Sequence, residues 1–350
     1  MSSQSLQSAA VARLDALRHI VLAHGGGGQL TDELIGRMVL PRLGNDVLND
    51  LLDASCVDLA TSRAALTIDG YVVQPLTFPG GDIGRLAISG TVNDLAVSGA
   101  EPVAIALGLI LAEGLDRKVL EKVLDSIAAT AREAGVRVVT GDTKVVGRGQ
   151  ADGMYITTAG VGAVPAGRRL HMDQIRPGDA VLISGPIADH GLTVMLARQM
   201  PDVQSVLRSD VAPLNGMIRR MLDRTGGVVF MRDPTRGGLA SVAADIAQRT
   251  GLHVLLDEPR IPIRPETRHA AEMLGLDPLE VANEGKVLVV VRPDAAEAAL
   301  AALREDPLGR EAMIIGRIED VRDGLCELQT VIGGRRILQK PYGEQLPRIC

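Results

Sequence analysis

The sequence predicts a two-domain α+β protein, and three observations carry that expectation. Its 350 residues exceed what one ordinary hydrophobic core organises. Short β-like apolar runs alternate with helical patterns along most of the chain. A turn-rich joint, Ile175 to Asp179 with Pro177 and Gly178 inside it, divides these runs into two units.

Taken in order, Val11, Leu14, Leu17 and Val21 recur at helical spacing with Arg13, Asp15 and Arg18 between them, which predicts a short amphipathic helix ahead of His24. Four consecutive glycines follow. Thr31, Asp32 and Glu33 then precede a helical pattern through Ile35 and Met38, with Thr31 as the expected cap. In the first unit, β-like runs at Ala65 to Ile68 and Met154 to Ala159 accompany helical stretches near Arg85 to Val97 and Arg117 to Glu133. In the second, a strand at Ala180 to Ile183 and a turn at Gly185 lead to helices at Gly191 to Met200 and Val211 to Asp223. A strand at Gly227 to Met231 and a helix at Gly238 to Arg249 come next, and strands at Val287 to Val291, Leu325 to Val331 and Arg336 to Leu338 follow. Gln339 to Cys350 holds Pro341, Gly343 and Pro347 without periodicity and reads as a mobile tail. The expected organisation is an N-terminal helix and glycine-rich loop over 1–40, a first domain over 41–175, a second over 176–338 and a tail over 339–350. No repeat of fixed period is apparent.

Composition removes several function classes. Aromatic residues are 1% of the chain and Trp is absent, so platforms for stacking nucleic-acid bases are poorly supported. A net charge of -6 without clustered Lys and Arg argues against a phosphate-backbone surface. The longest uncharged apolar run, Pro102 to Ala112, falls short of the roughly 20 residues that span a bilayer. Cys56, Cys326 and Cys350 fit neither a zinc site nor a disulfide framework, a usage that suits a reducing cytoplasm. The Ser- and Gln-rich start lacks a signal sequence's apolar core, and Asp15 disfavours a transit peptide.

Phosphate binding without a basic patch calls for converging backbone amides. His24 with Gly25, Gly26, Gly27 and Gly28 offers such a loop, although a glycine tract also serves as a plain connector. Asp69, Asp94 and Asp142 sit where strands or turns are expected to end. As carboxylates from separate loops they suit a magnesium ion shared with a nucleotide, with Lys144 balancing phosphate charge; Asx turns and a solvated helix residue would ask for the same residues. Asp233-Pro234-Thr235-Arg236-Gly237-Gly238 places an acid and two glycines ahead of a helix, an anion site or a simple capped turn. Glu284 precedes an apolar strand, where it is either a general base or the partner of Lys286 in a surface ion pair. Cys350 ends the sequence, a placement expected by chance about one time in a hundred at this composition. A thiol on such an end can be loaded at one site and inserted into another.

Together, Asp69-Gly70, Gly80-Gly81-Asp82-Ile83-Gly84, the run Gly90-Thr91-Val92-Asn93-Asp94-Leu95-Ala96-Val97-Ser98-Gly99-Ala100 and Gly141-Asp142-Thr143-Lys144 resemble the PurM-like ATP-binding superfamily, related to AIR synthase. The terminal Pro347-Arg348-Ile349-Cys350 resembles, within it, the HypE family of NiFe hydrogenase maturation proteins. The resemblance covers almost everything after the N-terminal helix. It implies a homodimer whose N-terminal domains pair through their sheets, a C-terminal α/β sandwich domain, and ATP with Mg²⁺ held near the interface. It implies a carbamoyl group loaded on Cys350 by the carbamoyltransferase HypF, dehydrated to a thiocyanate and passed as cyanide to a HypC–HypD complex. Carried over position by position, Asp69, Asp94, Asp142 and Asp233 would surround Mg-ATP, with Asn93 beside Asp94 and His24 to Gly28 as a glycine-rich cover. Lys144 would stabilise the oxygen or transferred phosphate, and Glu284 would remove an amide proton. Other enzymes of the superfamily, such as the selenophosphate, aminoimidazole-ribonucleotide and thiamine-phosphate enzymes, use a free substrate and would have no use for Cys350. A non-catalytic carrier would have no use for the acids.

Overall fold

In the first sheet the side chains alternate between a helix-covered face and an open one. The computed structural model describes residues 19–21, 24, 29–50, 59–60, 63–340, 346 and 349–350. Most of the helix expected at Val11 to Val21, the glycines Gly25 to Gly28, Cys56 and most of the expected tail lie outside those residues. Helical backbone opens at Gln29–Leu34 (α1), widens through a π-helical turn at Ile35–Val39 and closes with Leu40–Leu43 (α2). Thr31 therefore stands inside the helix and not at its cap. Pro41 has no N–H for the preceding turn, which accounts for the widening just ahead of it.

Strand β1 (Ala64–Tyr71) pairs with β6 (Met154–Ala163), which pairs antiparallel with β4 (Glu101–Ala112); β4 in turn pairs parallel with β5 (Arg137–Val146). A two-stranded ribbon joins β2 (Thr77–Phe78) to β3 (Gly81–Asp82). Helices α3 (Ile83–Val97) and α4 (Arg117–Ala134) supply the apolar core of this unit. Both have local start signals: the Asp82 carboxylate accepts from the amides of Gly84 and Arg85, and the Asp116 carboxylate from that of Lys118. Gly135 ends α4 in the left-handed conformation, at φ 70°. On the sheet's other face Leu66 and Ile68 stand 80% and 73% exposed beside a shallow apolar hollow of about 660 Å³, lined also by Ala106, Val139, Ala159 and Val161.

The second unit is a seven-stranded sheet. It contains β7 (Ala180–Ile183), β8 (Val228–Arg232), β9 (His253–Asp257), β10 (Leu288–Val291), β11 (Met313–Glu319), β12 (Cys326–Gln329) and β13 (Arg335–Leu338), in the spatial order β13-β12-β9-β11-β7-β10-β8. The central strands β7 and β10 are buried at every position, because both faces are covered. Val181, Ile183, Leu288 and Val290 join a core with α7 (Gly238–Thr250). Leu182, Val289 and Val291 join another with α6 (Asn215–Arg224) and α9 (Ala296–Arg304). Helices α5 (Asp189–Gln199) and α8 (Pro265–Leu274) form a smaller cluster at one end. No helix among the described residues is long and apolar enough to cross a membrane.

One expected helix is shortened. Val211 to Leu214 are not helical, because Pro213 disfavours an earlier start and this stretch bonds across the domain junction: Ala212 N–H donates to the Glu284 carbonyl at 3.4 Å and Leu214 N–H to Asn93 Oδ1 at 2.7 Å.

Candidate active site

Strand β1 delivers Asp69 and Tyr71 on the helix-covered face, and α3 delivers Asp94 opposite them. The Thr67 hydroxyl donates to Asp94 Oδ2 at 2.7 Å, and the Tyr71 hydroxyl donates to Asp69 Oδ2 at 3.3 Å. Gly90 is required here, since a Cβ at that position would collide with the Tyr71 hydroxyl. From the second domain come Asp233, Thr235 and Arg236, on the turn between β8 and α7, and Glu284, on the segment before β10. These residues line a cleft of about 240 Å³, and Cys350 lines it with them.

The tail end is thus seated inside the cleft. Ile349 is buried among the first domain's core residues. The Cys350 carbonyl accepts from Val72 N–H at 3.2 Å, and its Sγ accepts from Arg236 Nε at 3.2 Å.

Crowding of carboxyl groups sets the electrostatics. Burial, with Asp94 adjacent, raises Asp69 to about 6. Burial and the Asp94 charge raise Asp233 to about 7. Glu284 is 4% exposed and Oε1 has no hydrogen-bond partner; burial first, then Asp233 and Asp210, hold its carboxyl well above the usual range. Burial and the neighbouring Glu284 push the Cys350 thiol up to about 12 against the opposing pull of Arg236. Like charges held this close are relieved by a cation, and the donors are hard oxygens. Among the described residues no three His, Cys, Asp or Glu side chains form a complete metal cage. The set fits an ion that takes one or two carboxylates and completes its shell with phosphate oxygens and water.

Glu284 is not paired with Lys286, the plainer alternative the sequence left open. Lys286 Nζ lies 3.1 Å from Asp210 Oδ2, and both side chains are buried. Burial alone would raise Asp210, but the Lys286 ammonium beside it holds the carboxyl below its usual value. Gly285 lets the two segments touch, because a Cβ there would strike the Asp210 carbonyl.

Four further sequence candidates stand elsewhere. Asn93 is 1% exposed and fully engaged: its Nδ2 donates to the Ala212 and Glu284 carbonyls at 3.1 and 3.3 Å, while Oδ1 accepts from Leu214 N–H. Its amide joins the domains and is not presented to the cleft. Asp142 and Lys144, expected at a strand end, lie mid-strand in β5, exposed and 3.1 Å from each other. Cross-strand register runs from Asp69 to Thr158, Leu107 and Gly141, so Asp142 and Lys144 project from the opposite, open face. His24 is buried, its Nδ1 3.0 Å from Val21 N, and does not line the cleft. The sequence carries no signal for Tyr71 or Asp210; it offers Arg236 only within the glycine-bearing turn at 233–238 and Lys286 only as a surface partner of Glu284.

Comparison with known proteins bears on the family and the fold. Residues 52–164 match the model of the AIR synthase related protein N-terminal domain, and residues 176–326 that of its C-terminal domain. The carbamoyl dehydratase HypE of Rhizobium leguminosarum bv. viciae is 46% identical over 332 residues, 95% of this chain and 95% of that protein. A crystal structure of the hydrogenase maturation protein HypE in complex with ATP matches at a TM-score of 0.90 and 43% identity, covering 94% of this chain and 99% of that one. A HypE–HypF complex matches at 0.77 and 40% identity over 90% and 100% of the respective chains. With identity sustained across both domains, the chain belongs to the HypE carbamoyl dehydratases of the AIR synthase related family.

Proposed function

We propose that this protein dehydrates a carbamoyl group carried on its own Cys350, at the expense of ATP, to a thiocyanate that supplies cyanide during NiFe hydrogenase maturation. One observation carries the reading: the Cys350 thiol sits in the same cleft as Asp69, Asp94, Asp233 and Glu284. The overall change converts S–C(=O)–NH₂ and ATP into S–C≡N, ADP and phosphate. The carbamoyl oxygen attacks the γ-phosphorus as ADP leaves, so a poor oxide leaving group becomes a phosphate. Loss of the amide protons, the last to Glu284, accompanies C–O cleavage and completes the triple bond.

One or two of Asp69, Asp94 and Asp233 would hold Mg²⁺ against the phosphates, and the ion would supply charge neutralisation at the transferring group. Arg236, now against the sulfur, steadies the thiol end. The run Gly25 to Gly28, outside the described residues, is assigned to covering the nucleotide. The matching HypE–HypF complex supports HypF as the loading partner, and the HypC–HypD complex is assigned as cyanide acceptor on the family resemblance alone.

The open apolar face around Leu66 and Ile68 is assigned to sheet-to-sheet pairing with a second copy of this chain. That pairing also gives Asp142 and Lys144 a role, because their own sheet separates them from their own cleft; they would serve the partner's. Leu66→Asp is expected to convert a dimer to a monomer in sedimentation velocity and to depress turnover at least tenfold, burial of one charge in such an interface being prohibitive. An unchanged sedimentation coefficient would remove the pairing.

The whole reading is tested by intact-protein mass spectrometry. Protein loaded with a carbamoyl group is expected to lose the mass of one water when Mg-ATP is added. Persistence of the full carbamoyl mass would refute it.

A further inference from the structure

His190 lies outside the acid-lined cleft, yet it touches the tail. The ring is fully buried near the start of α5, its Nε2 3.0 Å from the Ile349 carbonyl and its Nδ1 2.8 Å from Ser209 Oγ. A carbonyl only accepts, so Nε2 must carry the proton. Burial lowers the ring's basicity and keeps it neutral; Nδ1 is then bare and accepts from the Ser209 hydroxyl. Ser209 is itself fixed, with its amide donating to the Pro79 carbonyl at 2.9 Å and its Oγ accepting from Val211 N–H at 3.1 Å. Phe78 meets the ring edge-on at 5.4 Å between centroids.

The backbone that aims His190 is strained. Ala188 begins the helix at φ 74°, a left-handed conformation that crowds the Cβ of a non-glycine residue against its own backbone. It is held there by Asn283, whose Oδ1 accepts from Ala188 N–H at 2.7 Å. Asn283 adjoins Glu284, so one segment places both the cleft carboxyl and the histidine that meets the tail.

We propose that His190, oriented by Ser209, is a positioning residue that clamps the Ile349 carbonyl and thereby sets the register in which Cys350 enters the cleft. A main-chain grip of this kind is indifferent to what the sulfur carries, so it holds the free, carbamoylated and dehydrated ends alike. The catalytic consequence rests on the proposed carbamoyl chemistry; the grip itself does not.

The test therefore begins with the unloaded full-length protein, by measuring the iodoacetamide alkylation rate of Cys350 by mass-spectrometric mapping. A seated thiol reacts slowly, and release exposes it. His190→Leu is expected to raise the Cys350 rate about tenfold, with buried Cys326 unchanged as an internal reference and ATP affinity intact. His190→Gln, whose side-chain N–H can reach the same carbonyl, should return the rate to near that of the parent. Should His190→Leu fail to fold, Ser209→Ala replaces it: without a donor to Nδ1 the ring can take the other tautomer, and an intermediate acceleration is expected. Equal alkylation rates in the parent and in a folded His190→Leu or Ser209→Ala protein overturn the proposal. In the carbamoyl-loaded protein, His190→Leu should slow a single turnover with the KM for ATP unchanged. If alkylation responds as expected while loaded parent protein never loses water, the clamp stands and the dehydration reading alone falls.

Discussion

Cys350→Ala is expected to abolish the ATP turnover that follows loading with a carbamoyl group, while leaving Mg-ATP binding within about twofold of the parent. The thiol is the attachment point of the proposed substrate, so its loss removes the nucleophilic carbonyl oxygen and not merely a contact. Nucleotide affinity should survive, because Asp69, Asp94 and Asp233 are carried by β1, α3 and the β8–α7 turn, and the Cys350 sulfur bonds Arg236 and none of these carboxylates. Phosphate release after treatment with the carbamoyltransferase and carbamoyl donor measures the first quantity, and calorimetry the second. Carbamoyl-dependent turnover persisting in Cys350→Ala would move the chemistry to a free substrate.

Glu284→Gln is expected to bind Mg-ATP and still slow thiocyanate formation by about 10²–10⁴-fold, the usual worth of a positioned general base. The cleft also predicts a pH signature. Burial and four neighbouring carboxyl groups raise the Glu284 pKa, so the acid form dominates at low pH and the basic form grows as pH rises. At saturating Mg-ATP, the single-turnover rate of the parent protein should therefore rise with pH as the Glu284 carboxyl gives up its proton above the usual carboxylate range, whereas the residual rate of Glu284→Gln should be flat. Asp69 and Asp233, at about 6 and about 7, also ionise as pH rises, which is why binding has to be saturated at each pH. A Gln variant with the parent rate and slope would place the base elsewhere.

Much of the fold could be read locally, because its signals lie within a few residues of one another. Asp82 and Asp116 cap α3 and α4, Gly135 ends α4, and the unbroken apolar runs of β7 and β10 announce strands buried on both sides. The α+β class follows from those signals. The candidate site was legible where motif and geometry coincide, as for Asp69, Asp94, Asp233, Glu284 and Cys350. It was not legible where long-range pairing decides. Gly141-Asp142-Thr143-Lys144 reads as a loop by composition, but its pairing with β4 makes it strand and turns its charges to the open face. Lys286 is two residues from Glu284, yet its partner is Asp210, 76 positions away in the chain. No local pattern announces that choice, nor that Asn93 would spend its amide on the domain junction, nor that His190 would meet Ile349 across 159 positions.

The three bonds made by Asn93 bear on how this enzyme can move. Many two-lobed enzymes admit substrate by swinging one lobe about a hinge. Here such a swing would strand a buried carboxamide and break hydrogen bonds to Ala212, Leu214 and Glu284, at roughly 1–3 kcal/mol for each group left unsatisfied. Helix α3 and the Glu284 segment thus behave as a single casting. On the proposed reading, turnover would then be left to a reactant that travels while its mould stays still, with the Cys350 end entering, being transformed and withdrawing.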